Sequence, residues 1–222
     1  MRRVGVFAAA TVMLWAFVAG PAWAQDGPGE YLPTWTFSGA VGYAVPSTDE
    51  YGDALVGRVA VGYSPWPSLE VDLEYGGWSA QVSQPDASGI PSHTIASGNL
   101  RLRPLTLTGQ WRYPVPGFMA TAYLLGGIGW YSIDYTMADE PRKVFEGSGA
   151  VDLPDQGVDN AFGYHIGAGL DYVITERLSL TAEGRYVFLS PDAHGATTPG
   201  YRIAGSLDLD TWLFTAGVKV SY

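Results

Sequence analysis

Residues 69–75 read Leu-Glu-Val-Asp-Leu-Glu-Tyr, an unbroken alternation of apolar and acidic side chains. A period of two belongs to a strand, and it gives this one a hydrocarbon face and a face bearing Glu70, Asp72 and Glu74. Strand-like segments rich in Val, Leu, Tyr, Trp and Thr recur near 34–45, 54–64, 68–81, 99–112, 118–135, 160–173, 177–189 and 206–222, eight in all. No segment carries a helical period of comparable strength. The connections alternate in length. Short ones lie at Pro65-Trp66-Pro67, Tyr113 to Gly117 and Ile174 to Glu176, and longer ones at 46–53, 82–98, 136–159 and 190–205. This predicts an all-β, eight-stranded antiparallel up-and-down barrel with tight turns at one end and long loops at the other. A Greek-key sandwich would not alternate so regularly.

Alternation alone does not say which face is inside, because a soluble lipocalin-like barrel buries its apolar face. Four features turn the apolar face outward, toward lipid. The polar face consists of Gly, Ala, Ser and Thr with single charges, and lysine occurs only at Lys143 and Lys219, whereas a water-facing surface uses many more. Both signs are present for pairing in a lumen just wide enough to be filled by side chains: Arg58, Glu70, Asp72, Glu74, Arg112, Asp171, Glu183, Arg185 and Lys219. Aromatics gather near strand ends as expected of membrane girdles. Trp35, Tyr63, Trp66, Trp111, Tyr172 and Tyr222 fall at the short-turn end; Tyr43, Tyr75, Trp78, Tyr131, Phe188 and Trp212 fall at the long-loop end. Finally, strands of ten or more residues suit a tilted span of the hydrocarbon layer. Two segments fit less well. The fourth carries Arg101 and Arg103 in phase with Leu105 and Leu107, so either a bulge at Pro104 or a strand end above the lipid is expected. The fifth, AYLLGGIG, is apolar or glycine on both faces.

The chain opens with Arg2-Arg3, an apolar run and Ala22-Trp23-Ala24, the pattern of a cleaved secretory leader. Residues 1–24 are therefore expected to be removed, 25–33 to form a short periplasmic lead, and 34–222 to form the barrel. There is no cysteine, which excludes disulfides, thiolate chemistry and Cys-ligated metal. A net charge of −10 argues against nucleic acid as a partner. No metal or other cofactor is expected.

The segments AYLLGGIGW, FGYHIGAGLDYVITERLSLTAEGRYVF and LDLDTWLFTAGVKVSY resemble those of small outer-membrane β-barrel families, OmpW-like proteins above all and the related OmpA/OmpX-type barrels. The likeness spans the mature chain and is strongest from Ala122 to Tyr222. It implies residence in the outer membrane of a Gram-negative envelope, among outer-membrane lipids and lipopolysaccharide. It also implies a porin-like barrel associated with passage of small solutes, hydrophobic ones among them. The terminal Tyr222, with Val218 and Val220 alternating behind it, resembles the C-terminal signal read by the barrel-assembly machinery.

The expected function is non-enzymatic, with the interior charges acting as a gate or as a structural filling. One alternative is a surface-interaction barrel working through its outer loops, of which the acidic 136–159 is the longest. The other is a lipid A-modifying enzyme, since some eight-stranded barrels are of that kind. Its only strand-borne histidine is His165, whose parity points it into the lumen, away from lipid; His93 and His194 lie in predicted loops. No base–nucleophile pair is readable, so no catalytic residue is assigned.

Overall fold

The computed structural model describes residues 33–48, 51–82, 98–137, 157–197 and 201–222. The expected leader 1–24 and nearly all of the 25–33 lead lie outside these residues, as do 83–97, with His93, and 138–156 of the long acidic loop. Eleven strands are described: β1 Thr34–Pro46, β2 Ala54–Trp66, β3 Leu69–Val82, β4 Gly98–Pro114, β5 Ala120–Met137, β6 Gly157–Val158, β7 Ala161–Val173, β8 Leu178–Phe188, β9 Asp192–Thr197, β10 Tyr201–Ser206 and β11 Thr211–Ser221. Eight of them close into a barrel in the order β1-β11-β8-β7-β5-β4-β3-β2. Every pairing in it is antiparallel, and β1 seals the circle against β11 from Thr36↔Ser221 to Pro46↔Thr211. Closure leaves no free edge, which a strand bundle in hydrocarbon requires.

The turns at the short end follow from their residues. Gly117 takes a positive φ of 78°, which the Pro114-Val115-Pro116-Gly117 reversal needs and which glycine adopts without strain. In the β7–β8 turn, Thr175 Oγ1 accepts from the Leu178 amide at 3.1 Å. Between β2 and β3 the register slips by one between Tyr63 and Trp66, around Pro65, which has no amide hydrogen to give.

At Pro104 the structure decides between the two expectations. There is no bulge there, since β4 pairs with β5 in one continuous register from Gly98↔Met137 to Pro114↔Thr121. On the other side, the β3–β4 ladder keeps its phase but is interrupted between Tyr75↔Leu105 and Trp78↔Leu102, where Gly76-Gly77 faces Arg103-Pro104. Arg101 and Arg103 stay on the outer wall while Leu100 and Leu102 point inward. The outer end of β4 therefore projects beyond the apolar band. In AYLLGGIG, the ambiguity resolves with Tyr123 and Leu125 inside and Leu124 and Ile128 outside.

A second, three-stranded sheet of order β10-β9-β6 lies within the two long connections that precede and follow the β7–β8 hairpin. This corrects the expectation of a plain loop over 190–205 and a last strand beginning at 206. In the structure β9 and β10 form a hairpin from Tyr201↔Thr197 to Ser206↔Asp192. The barrel strand starts only at Thr211, because the Asp210 side chain is engaged by the Leu189 amide (2.9 Å) and the Tyr186 hydroxyl (3.0 Å).

Candidate functional site: the barrel interior

The question posed by Leu69–Tyr75 is answered by exposure. Leu73 is 54% exposed on the outer wall, whereas Glu70 is 0% exposed in the interior. A buried carboxylate is costly unless it is paired and hydrogen-bonded. Two groups of four charges meet that condition, each as a closed circuit.

The circuit nearer the short turns joins Arg112, Glu70, Lys219 and Asp171. Arg112 reaches Glu70 at 2.5 Å and Asp171 at 3.0 Å, and Lys219 reaches Glu70 at 3.2 Å and Asp171 at 2.9 Å. Thr36 Oγ1 adds a hydrogen bond to Glu70 at 2.8 Å. The second circuit, toward mid-barrel, joins Arg58, Glu74, Arg185 and Glu183. Arg58 reaches Glu74 at 3.0 Å and Glu183 at 2.8 Å, and Arg185 reaches Glu74 at 3.0 Å and Glu183 at 2.5 Å. In each circuit every cation touches both anions, so each is neutral as a unit. Tyr123 links them: its hydroxyl donates to Glu183 at 3.2 Å and its ring lies 5.5 Å from Lys219 Nζ. The ring fits there because the facing residue is Gly169, where any Cβ would overlap it.

The ninth charge, Asp72, belongs to neither circuit and accepts from Gln110 Nε2. His165 is buried at the same height, with Nε2 3.0 Å from Thr108 Oγ1. Strand parity alone identifies the nine charges as facing one way. Gln110, Thr36, Thr108 and Tyr123 are not singled out by the sequence, although Thr36, Thr108 and Gln110 share the inward parity of their strands.

Toward the long loops the interior changes character. Val56, Trp78, Leu100, Leu102, Tyr131, Ile133, Val187 and Leu213 form an apolar layer, joined by Tyr51, Val158, Leu189, Leu207 and Leu209 from the connections. This corrects two assignments. Trp78 and Tyr131 are not outer-belt aromatics; they are 5% and 1% exposed and meet edge-on at 6.3 Å inside the barrel. Trp78 has the parity of Glu74, so the inward face of β3 runs from acids to tryptophan as it rises. The interior is accordingly polar only over its short-turn part.

On the outer wall, Trp35, Tyr63, Trp66, Trp111, Tyr172 and Tyr222 are exposed at the short-turn end, and Trp212 is exposed at the other. At the long-loop end Trp130, Phe162, Tyr164, Phe188, Tyr186, Trp212 and Phe214 are linked by ring contacts across β5, β7, β8 and β11, apart from one gap between Phe162 and Tyr164. No helix among the described residues is long and apolar enough to cross a membrane, and the apolar exterior belongs to strands.

The profile of the outer membrane protein β-barrel domain matches residues 9–221. The chain is 28% identical over 182 residues to the uncharacterized outer-membrane protein y4mB of Sinorhizobium fredii (strain NBRC 101917 / NGR234), covering 80% of this chain and 71% of that one. Among solved structures it is similar to OprG from Pseudomonas aeruginosa, at 14% identity and a TM-score of 0.66 over 87% of this chain and 98% of the other. It is also similar to a major outer membrane protein from Thermus thermophilus, at 13% identity and a TM-score of 0.54 over 86% of this chain and 100% of the other. The closed antiparallel barrel agrees with the folds of these solved structures, and the chain belongs to the outer membrane protein β-barrel domain family, an integral protein of the outer membrane.

Proposed function

We propose that this is a non-enzymatic outer-membrane barrel whose axis is sealed, so that its activity resides in its wall and outer end rather than in a water-filled pore. The observation that carries this reading is the pair of closed charge circuits beneath an apolar layer. An ion crossing along the axis would have to separate buried pairs twice and then traverse Trp78, Tyr131 and Leu102. Each separation exposes an unpaired buried charge, at a cost of about 3–5 kcal/mol. Within this reading Arg58, Glu70, Glu74, Arg112, Asp171, Glu183, Arg185 and Lys219 are a structural filling, and the exposed aromatics named above anchor the wall at its two interfaces. The outward row Trp212, Phe214, Ala216, Val218 and Val220 of β11, with Tyr222 just after it, is the face offered to the barrel-assembly machinery.

His165 is poorly placed for chemistry on lipid. It lies in the interior against Thr108, away from the outer wall where an acyl chain would arrive. Planar-bilayer recording tests the sealed axis. Refolded protein is expected to give no discrete conductance steps, and so is an R58A/R185A variant, because the other circuit and the apolar layer still close the axis. Steps from the unaltered protein would end this reading.

Passage of small apolar solutes is the second reading, and one observation favours it. The interrupted β3–β4 ladder has a cleft of about 780 Å³ at the outer end of the wall and a cavity of about 30 Å³ on its inner side. The cavity touches Gly76, Gly77, Trp78, Pro104 and Tyr131. Such passage would run across the wall, and a Gly77→Ala variant, whose Cβ would stand 3.0 Å from the Leu102 carbonyl across the seam, would lower uptake of an apolar dye by whole cells.

A further inference from the structure

The aromatic arc at the long-loop end runs over β5, β7, β8 and β11, and it does not extend to β3 and β4. There the outward row Tyr75–Leu105–Trp130 is followed, one step further out, by Gly77–Arg103–Ser132 and then by Ser79–Arg101–Asp134. A step of two residues advances about 7 Å along a strand. The change from apolar to polar therefore happens at the top of the lipid-facing band, and the two arginines stand at headgroup height. They are unusual in this chain. Its net charge is −10, and the other arginines and the lysine on described barrel strands are consumed inside by the circuits. Arg103 meets Asp134 at 3.3 Å in a half-exposed pair, and such pairs are weak and exchangeable. Arg101 has no partner among the described residues.

Arg101 and Arg103 line one side of the 780 Å³ cleft. Beneath it the outward row Val59–Tyr75–Leu105 is apolar and exposed, and in the next row Gly57 and Gly77 leave the wall bare beside Arg103. Ser79, Gln81 and Asp53 complete the upper rim. A greasy floor at the edge of the hydrocarbon band, topped by one cation about 7 Å and a second about 14 Å further along the strand, matches an amphiphile with acyl chains below and a phosphate above. Arginine suits that role because its planar fork binds phosphate oxygens bidentately.

We infer that the cleft between β2, β3 and β4 is a binding site for a phosphorylated glycolipid of the outer leaflet, with Arg101 and Arg103 holding the phosphate. Arg101 is the resident anchor, and Arg103 exchanges Asp134 for the phosphate. The site is independent of whether the axis is sealed, since it lies on the outside of the wall.

Native mass spectrometry of the refolded full chain in detergent, titrated with bisphosphorylated lipid A, tests it. Unaltered protein is expected to retain lipid A and to release it about tenfold more readily in R101Q/R103Q, the loss of a charge-assisted contact being about 1.4 kcal/mol or more. D134N, which frees Arg103, is expected to bind more tightly, and R177Q in the β7–β8 turn to bind as the unaltered protein does. Heat-modifiable migration on SDS gels reads folding for each variant. Inorganic phosphate at the same concentration is expected not to displace the lipid; complete displacement would make this a free-anion site and overturn the proposal. Equal binding of dephosphorylated lipid A, or unchanged binding in both R101Q/R103Q and D134N, would overturn it as well.

Discussion

Between the short turns and mid-barrel, the inward face of β3 carries Glu70, Asp72 and Glu74; further along the same strand it carries Trp78 and Ala80. One wall thus encloses two kinds of filling. The lower filling is ionic and works as circuits, in which each charge has two partners and the removal of one member strands the rest. The upper filling is apolar, where packing losses are graded and local. The ionic part fixes the inside of the barrel where the turns are tight and neighbours are few. The apolar part continues into the long connections, whose Leu189, Leu207 and Leu209 join it, and so ties the outer end to the barrel.

Breaking a circuit is the harshest test of that difference. Arg185→Leu leaves Glu74 and Glu183 dependent on Arg58 alone, and should cost about 3–5 kcal/mol in urea unfolding from lipid vesicles. Replacing Arg58, Glu74, Glu183 and Arg185 together by Leu or Met should recover most of that loss, because no buried charge is left unpaired. If the single change proves mild, the circuits contribute little and the contrast between the two halves fails. Next in size is Leu100→Ala in the apolar layer, expected at about 2–5 kcal/mol by the same assay, with the barrel still closed and heat-modifiable.

Gly169→Ala places a methyl group where the Tyr123 ring stands between the circuits, and should cost about 1–3 kcal/mol through overpacking. A near-neutral result would mean that Tyr123 can swing away, and that the circuits are not linked through it. The smallest effect belongs to Asp72→Asn. Asp72 is outside both circuits, so its neutral isostere should unfold within about 1 kcal/mol of the unaltered protein. A large loss there would mean that Asp72 is held by a cation of one of the circuits.

Much of the architecture is legible without coordinates. Eight strands, their order around the barrel, the short and long ends, and the outward face of Leu69, Val71, Leu73 and Tyr75 all follow from a period of two and from where the turn residues fall. A bulge is not legible in this way, because a proline breaks a ladder only where its partner strand asks for the missing amide. Pro65 sits beside a slip in register, while Pro104 faces Gly76-Gly77 and leaves a gap with no change of phase. Residue type assigns Trp78 and Tyr131 to the outer belt against their own parity, and parity is the better guide. The β9–β10 hairpin escapes a reading by pattern because Ala193 to Thr197 and Tyr201 to Gly205 mix small and polar residues without a clear alternation.

Which side chains share a face is written in the chain locally, since it depends on neighbours one and two positions away. Which charge meets which was settled only by closure. Glu74 meets Arg185 across 111 residues, Arg58 meets Glu183 across 125, and Lys219 meets Glu70 across 149. Those meetings are set by the stagger of eight strands around a narrow lumen, a property of the whole circle that no single segment encodes.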